Sequence, residues 1–119
     1  MQVLIDTNFM MIPVQFNVDI YEELKRLGFD EIITLDTCVK ELEHLAKNDK
    51  AAKTSFAILK EKNVNILSAG KEPADDAIVE YVKHKKIPVG TQDRELIKTL
   101  KSHGIMIIRL RQQKYLIKE

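Results

Sequence analysis

The feature that most constrains this chain is its alternation of short apolar runs with longer amphipathic stretches. The apolar runs predict buried strands, because they are short, continuous and rich in β-branched residues; they lie at 3–5, 32–35, 64–67, 87–90 and 105–110. Apolar residues at helical spacing predict helices at about 20–27, 37–47 and 50–62, another that Pro73 opens and a last one that Gly104 ends. Strands separated by helices in this way predict an α/β fold with a mostly parallel sheet and helices on both faces.

Size and composition are those of an ordinary folded protein. The 119 residues fit one domain spanning 1–119, with 45% hydrophobic and 31% charged residues. Since 19 basic residues face 18 acidic ones, the net charge of +1 does not by itself indicate nucleic acid. The single Cys38 excludes an internal disulfide, and no apolar run approaches the roughly 20 residues of a membrane helix. We therefore expect a cytoplasmic protein with no membrane partner.

Acidic residues follow the predicted strands, at the edge of the sheet where ligands bind in folds of this type. They are Asp6 directly after the first strand, Glu41 one turn into the next helix, Asp75 and Asp76 in the helix after the third strand, and Asp93 three residues after Gly90. Carboxylates converging on one edge repel one another, and a cation would offset that repulsion. Hard oxygen ligands favour Mg²⁺ or Mn²⁺, which can activate water for hydrolysis of a phosphodiester.

Each acid also has an ordinary structural explanation. Asp75 and Asp76 would stabilise the dipole of the helix that they begin. Asp93 could serve as an N-cap, and Glu41 could be an exposed helical acid. Asp6 is the hardest to explain in this way, because it is a charged residue that ends an apolar strand.

Together these segments resemble the PIN-domain family of nucleases. The matching segments follow the family's order: the strand running into Asp6-Thr7-Asn8, the helix at 39–43, the Ala74-Asp75-Asp76 segment and the Thr91-Gln92-Asp93-Arg94 segment. The resemblance implies a doubly wound, five-stranded, mostly parallel sheet and a Mg²⁺- or Mn²⁺-dependent endoribonuclease. The two latter segments look most like those of the PIN nucleases that process ribosomal RNA.

The resemblance also implies roles for individual residues. It assigns catalysis to Asp6, Glu41, Asp75 and Asp93, and metal binding to Asp6, Asp75 and Asp93 with Asp76 as an auxiliary ligand. It implies that Asn8 and Thr91 support the acids through hydrogen bonds. It further implies an RNA substrate, a possible homodimer, and either a ribosome-assembly partner or an antitoxin.

Lysine and arginine near the acidic edge are the candidates for RNA contacts: Lys71, Arg94 and Lys98. An ordinary solvated surface accounts for them as well. Two alternative functions stay open from the sequence. One is a PIN-fold module that binds RNA or protein without cleavage, and the other is the toxin ribonuclease of a toxin–antitoxin pair.

Overall fold

A computed structural model describes residues 1–68 and 73–119, which form a six-stranded sheet flanked by helices. The elements in chain order are β1 (Gln2–Ile5), α1 (Thr7–Met10), α2 (Ile12–Phe16), α3 (Ile20–Arg26), β2 (Glu31–Leu35), α4 (Asp36–Leu45), α5 (Lys50–Glu61), β3 (Asn65–Leu67), α6 (Ala74–Val82), β4 (Val89–Gly90), α7 (Arg94–Ser102), β5 (Ile107–Arg111) and β6 (Tyr115–Lys118). The strand order is β3-β2-β1-β4-β5-β6, in which only β6 runs antiparallel to its neighbour. The predicted α/β class with a mostly parallel sheet is confirmed.

The predicted count of five strands is wrong by one, because the chain turns back after β5 and adds β6. The turn contains Gln112 and Gln113, which adopt positive φ angles of 54° and 56°. Such conformations usually belong to Gly, Asn or Asp, so two glutamines carry no recognisable turn signal. This hairpin pairs Arg111 with Tyr115 and closes one side of the sheet.

The segment after β1 also differs from the prediction. Two short helices, α1 and α2, occupy residues for which the apolar pattern predicts nothing regular. Asp6 is the N-cap of α1, since its side chain accepts a hydrogen bond from the backbone N–H of Phe9. The helix predicted at 37–47 spans Asp36–Leu45, and its N-cap is Leu35.

The strand order reverses beside β1, and this reversal locates the functional edge. From β1 the chain steps to β2 and β3 on one side, and then returns to β4 and β5 on the other. Because parallel crossovers are right-handed, a change of direction puts the two groups of connecting helices on opposite faces. The change also leaves a crevice beyond the carboxyl ends of β1 and β4, where side chains of both strands meet.

The core surrounds the central strand. Val3, Leu4 and Ile5 of β1 are fully buried, and neighbouring strands and helices add further apolar side chains, among them Leu24, Ile33, Leu42, Ile78, Leu100 and Ile107. Asp6, which follows this apolar run, is therefore held in place by the packed core. No helix in the described parts of the chain has the length and apolarity needed to cross a bilayer.

Helix α3 covers the outer edge of β6. Oε1 of Glu23 accepts a hydrogen bond of 3.0 Å from the backbone N–H of Leu116, and Arg26 donates one of 3.0 Å to the carbonyl of Leu116. Glu23 and Arg26 are themselves paired at 3.0 Å. Side chains of a helix thus occupy the donor and the acceptor that Leu116 would otherwise offer to another strand.

Candidate active site

Asp6 lies at the carboxyl end of β1, inside the crevice. Its position follows from the pairing of Ile5 with Gly90 in the sheet, and its backbone N–H donates to the Gly90 carbonyl at 3.2 Å. The side chain is only 5% exposed. Oδ1 accepts from the N–H of Phe9 at 2.8 Å, and Oδ2 accepts from the hydroxyl of Thr91 at 2.5 Å. Both oxygens of this buried carboxylate therefore have a fixed direction.

The hydroxyl of Thr91 joins Asp6 to Asp93. It donates to Asp6 and accepts from the backbone N–H of Asp93 at 3.1 Å. Asp93 in turn caps α7, because its Oδ1 accepts from the N–H groups of Glu95 at 2.9 Å and Leu96 at 3.2 Å. The capping role considered for Asp93 from sequence is thus present. It fixes the direction of one oxygen of that carboxylate, as the two hydrogen bonds to Asp6 fix its oxygens.

Two further contacts hold the loop at 91–93, between β4 and α7, in place. The side-chain oxygen of Gln92 accepts from the N–H of Leu110 at 2.7 Å, which ties the loop to β5. Gly90 permits the approach of Phe9, since a Cβ at position 90 would lie 3.0 Å from two carbons of the Phe9 ring. The roles of Gln92 and Gly90 carry no signal in a single sequence, because both depend on contacts between distant strands.

The acids are close enough to change one another's ionisation. Burial raises the pKa of Asp6 to about 7 from 3.8; hydrogen bonds from Thr91 and Phe9 oppose this rise, and the charges of Asp75 and Asp93 add to it. The pKa of Asp75 is also raised, first by partial removal from water and then by Asp93, Glu41 and Asp76. One electrostatic cluster therefore contains Asp6, Glu41, Asp75, Asp76 and Asp93.

Cys38 is a neighbour of this cluster rather than a reactive group. The thiol is fully buried, and burial together with the charge of Asp6 raises its pKa to about 11. A thiol in this state stays protonated at neutral pH and is a poor nucleophile or metal ligand.

The remaining predicted residues occupy more open positions. Glu41 is exposed on α4, while Asp75 and Asp76 are exposed in the first turn of α6. Asn8 is exposed on α1, next to the hydrogen-bonded pair at Asp6 rather than part of it. Of the proposed RNA contacts, Arg94 and Lys98 are exposed on α7, and Lys71 lies outside the described residues.

The chemistry of these five side chains suits a hard divalent cation, but the side chains are not arranged around one. All five groups are carboxylates, and burial together with the charges of Asp75 and Asp93 raises the pKa of Asp6. Yet within residues 1–68 and 73–119, no three His, Cys, Asp or Glu side chains come together closely enough to hold a metal ion. Glu41, Asp75 and Asp76 are exposed helical side chains, so they can change rotamer around Asp6 and Asp93, whose oxygens are held by hydrogen bonds.

Comparison with known proteins identifies the family. The family model described as "PIN like domain" matches residues 3–113. The chain belongs to the PIN-like domain family. A curated relative in it, ribonuclease VapC4 of Methanocaldococcus jannaschii, is 31% identical over 119 residues, which covers 92% of this chain and 90% of that protein.

Solved structures agree with this membership. The PIN domain endonuclease Utp24 superposes with a TM-score of 0.86 at 27% identity, over 99% of this chain and 90% of that one. A domain of a functionally unknown protein from Methanocaldococcus jannaschii gives a TM-score of 0.65 at 20% identity, over 92% of this chain and 91% of that one. The second match supports the PIN-like fold alone. The first match is to a protein named as a nuclease.

Proposed function

We propose that this PIN-like protein is an endoribonuclease that hydrolyses RNA phosphodiester bonds with the help of Mg²⁺ or Mn²⁺. The observation that carries the proposal is the buried carboxylate of Asp6, whose pKa is raised by burial and by Asp75 and Asp93 at the crevice beside β1. An unneutralised cluster of this kind costs stability, and a bound cation offsets that cost. The named relatives, a ribonuclease and an endonuclease, support the choice of RNA and of cleavage.

The role of each acid follows from how firmly its side chain is held. Asp6 and Asp93 are the preorganised metal ligands, because Thr91 links them and hydrogen bonds direct their oxygens. Asp75 completes the set from α6, with Asp76 beside it as the auxiliary ligand. When bound, the ion supplies acidification of a water molecule and stabilisation of negative charge at the phosphodiester.

Glu41 has a different role in this proposal. It lies on α4, apart from the strand ends, and it is coupled to the cluster through Asp75. A carboxylate held outside the ligand set can accept the proton of the attacking water, which requires hydrogen-bond reach once the substrate is in place. We therefore assign Glu41 as the general base.

The biological setting is proposed on the same basis. We propose that one domain spans residues 1–119 and acts in the cytoplasm on ribosomal RNA precursors, as the sequence of the 74–76 and 91–94 segments favours. The toxin ribonuclease of a toxin–antitoxin pair is the second candidate, and the relative named ribonuclease VapC4 supports ribonuclease activity in either setting. A homodimer is compatible with either setting.

A cleavage assay tests the activity. Wild-type protein is incubated with labelled single-stranded RNA in Mn²⁺, in Mg²⁺ or in EDTA, beside Asp6→Asn and the control Asp49→Asn. Asp49 caps α5 through the same kind of contacts but lies outside the cluster. We expect cleavage with metal in wild type and control, and at least a hundredfold loss in Asp6→Asn. Equal activity of Asp6→Asn and wild type excludes the nuclease assignment, and RNA binding without cleavage favours the module that only binds.

A further inference from the structure

One stripe of helix α4 consists of polar residues that line a groove. Thr37, Lys40, Glu41 and His44 are spaced at i, i+3, i+4 and i+7, which places them on one side of the helix. They face Pro73 and Ala74 at the start of α6 across an open cavity of about 440 Å³. The core-facing side of α4 is supplied by other residues, including Cys38 and Leu42. The polar stripe is therefore left available for a ligand.

We propose that this α4–α6 groove binds the RNA phosphodiester next to the one that is cleaved, with Lys40 and His44 donating hydrogen bonds to its oxygens. The inference rests on the proposed ribonuclease function and names the residues that hold its substrate. The groove is continuous with the acidic cluster, because Glu41 lines it and also raises the pKa of Asp75. A strand lying in the groove would thus pass directly to the acids.

An unpaired hydroxyl gives independent support. Thr37 is 5% exposed and lines the groove, yet its Oγ1 has no hydrogen-bond partner among the described residues. Buried polar atoms are nearly always paired, and those without a protein partner often meet a ligand or water. A phosphate oxygen or a ribose hydroxyl would supply the missing partner.

The opposite wall also suits an anion. The N-cap of α6, Pro73, makes no side-chain hydrogen bond, whereas Asp93 caps α7. The first N–H groups of such a helix favour a negatively charged ligand, while Asp75 and Asp76 in the same turn oppose one. Glu41 would repel a phosphate, so the positive charge of Lys40 and the N–H donor of His44 are both needed to offset that repulsion.

The size and lining of the groove define how RNA is recognised. A volume of about 440 Å³ lies at the lower end of the range for small-molecule sites, roughly 300–1,000 Å³, and is suited to a single nucleotide. Among the described residues, the lining contains no Phe, Tyr or Trp on which a base could stack. The contacts therefore involve the backbone of the RNA, and the groove contributes affinity without selecting a base sequence.

A double variant tests the groove. Lys40→Ala/His44→Ala removes both donors from an exposed surface, so folding is retained. The matched control, Lys25→Ala/His84→Ala, removes the same residue types from exposed positions on α3 and after α6. RNA affinity is measured by fluorescence anisotropy with a labelled single strand in EDTA over a series of salt concentrations, and kcat and KM are measured in Mn²⁺.

The groove predicts a specific result. We expect the variant to lose at least tenfold in affinity, with a slope of log K against log salt that is smaller by about 0.7 for each lost phosphate contact. We expect KM to rise at least tenfold while kcat stays within about twofold, and the control to match wild type throughout.

The outcomes separate this inference from the function on which it rests. If wild type binds RNA but does not cleave it, and the variant loses binding, the groove stands and the nuclease assignment falls. If wild type cleaves RNA and the variant equals it in affinity, salt slope and KM, the groove is excluded and the nuclease stands. Wild type that does not bind RNA in EDTA also excludes the groove.

Discussion

The hydroxyl of Thr91 donates a hydrogen bond to Oδ2 of Asp6, although the two residues are 85 positions apart in the chain. The same hydroxyl accepts from the backbone N–H of Asp93. One buried oxygen atom therefore holds the residue after β1 and the residue that caps α7 in a fixed relation. In the proposed site this geometry is set before any metal or substrate arrives, and later steps need only the exposed acids to move.

Replacing Thr91 by valine should separate positioning from packing. Thr91→Val keeps the shape but loses the bond to Asp6, so we expect kcat to fall about 10- to 100-fold and stability to fall by about 1–3 kcal/mol. Since the bond lowers the pKa of Asp6, the acidic limb of the pH–activity profile should move to higher pH. Thr91→Ser should restore most of the activity, and the readouts are kinetics and urea unfolding.

Thr34→Val is the matched control. Its hydroxyl is equally buried and donates to the carbonyl of Ile5 at 2.7 Å, one strand away from Asp6. We expect a similar loss of stability with kcat unchanged within about threefold. Equal losses of kcat in the two valine variants would show that Thr91 has no special relation to the site.

Removing the charge of Asp6 should change how stability depends on pH. The pKa of Asp6 is raised from 3.8 to about 7 by folding, so its ionisation costs little at pH 4 and increasingly more up to pH 7. In EDTA, Asp6→Asn should therefore become more stable than wild type as the pH rises from 4 to 7, and it should remain more stable above pH 7. The gain at pH 8 should be about 1–4 kcal/mol, because one pKa unit corresponds to about 1.36 kcal/mol.

The measurement is urea unfolding at pH 4.5, 6 and 8. Asp49→Asn, which changes an exposed capping residue outside the cluster, is the control. A constant difference between Asp6→Asn and wild type across the series would contradict the raised pKa.

In the proposed site Asp93 both caps α7 and binds the metal, and two substitutions separate these roles. Asparagine is as good an N-cap as aspartate, so Asp93→Asn should keep its stability but lose at least a hundredfold in kcat. Asp93→Ala should lose the activity and also about 1 kcal/mol of stability. Asp49→Ala, which removes the corresponding cap of α5, should lose that stability and keep full activity. Wild-type cleavage by Asp93→Asn would leave Asp93 as a cap only.

Divalent metal should stabilise the wild-type protein. A cation that binds only the folded state adds about 2.7 kcal/mol at a hundredfold excess over Kd, or roughly 10 °C in Tm for a chain of this length. Differential scanning fluorimetry in Mn²⁺, with Ca²⁺ and EDTA for comparison, measures the shift. Asp6→Asn and Asp93→Asn should respond much less, and a Tm independent of Mn²⁺ in wild type would argue against the metal site.

The sequence predicts the strands well because they leave local signals. Apolar runs identify β1 to β5, and the acid after the first apolar strand makes Asp6 a candidate site residue. It predicts poorly whatever depends on contacts between distant segments. Residues such as Gln92, whose side chain ties a loop to β5, have no local pattern. The turn at 112–113 is hidden for another reason, since glutamines rarely adopt a left-handed backbone.

The polar stripe on α4 is an intermediate case. The spacing of Thr37, Lys40 and His44 is visible in the printed sequence, but helical spacing alone does not say whether a polar stripe faces solvent or a groove. The position of Pro73 across the cavity supplies that information, and it comes only with the fold.

The contact between α3 and Leu116 limits how this protein can assemble. A second chain that tried to extend the sheet past β6 would first have to displace Glu23 and Arg26, which already hold the N–H and the carbonyl of Leu116. Self-association through continuous pairing is therefore blocked at this margin, and the protein resists fibre-like growth from it. Copies that meet here must do so through side chains, with the ion pair left intact.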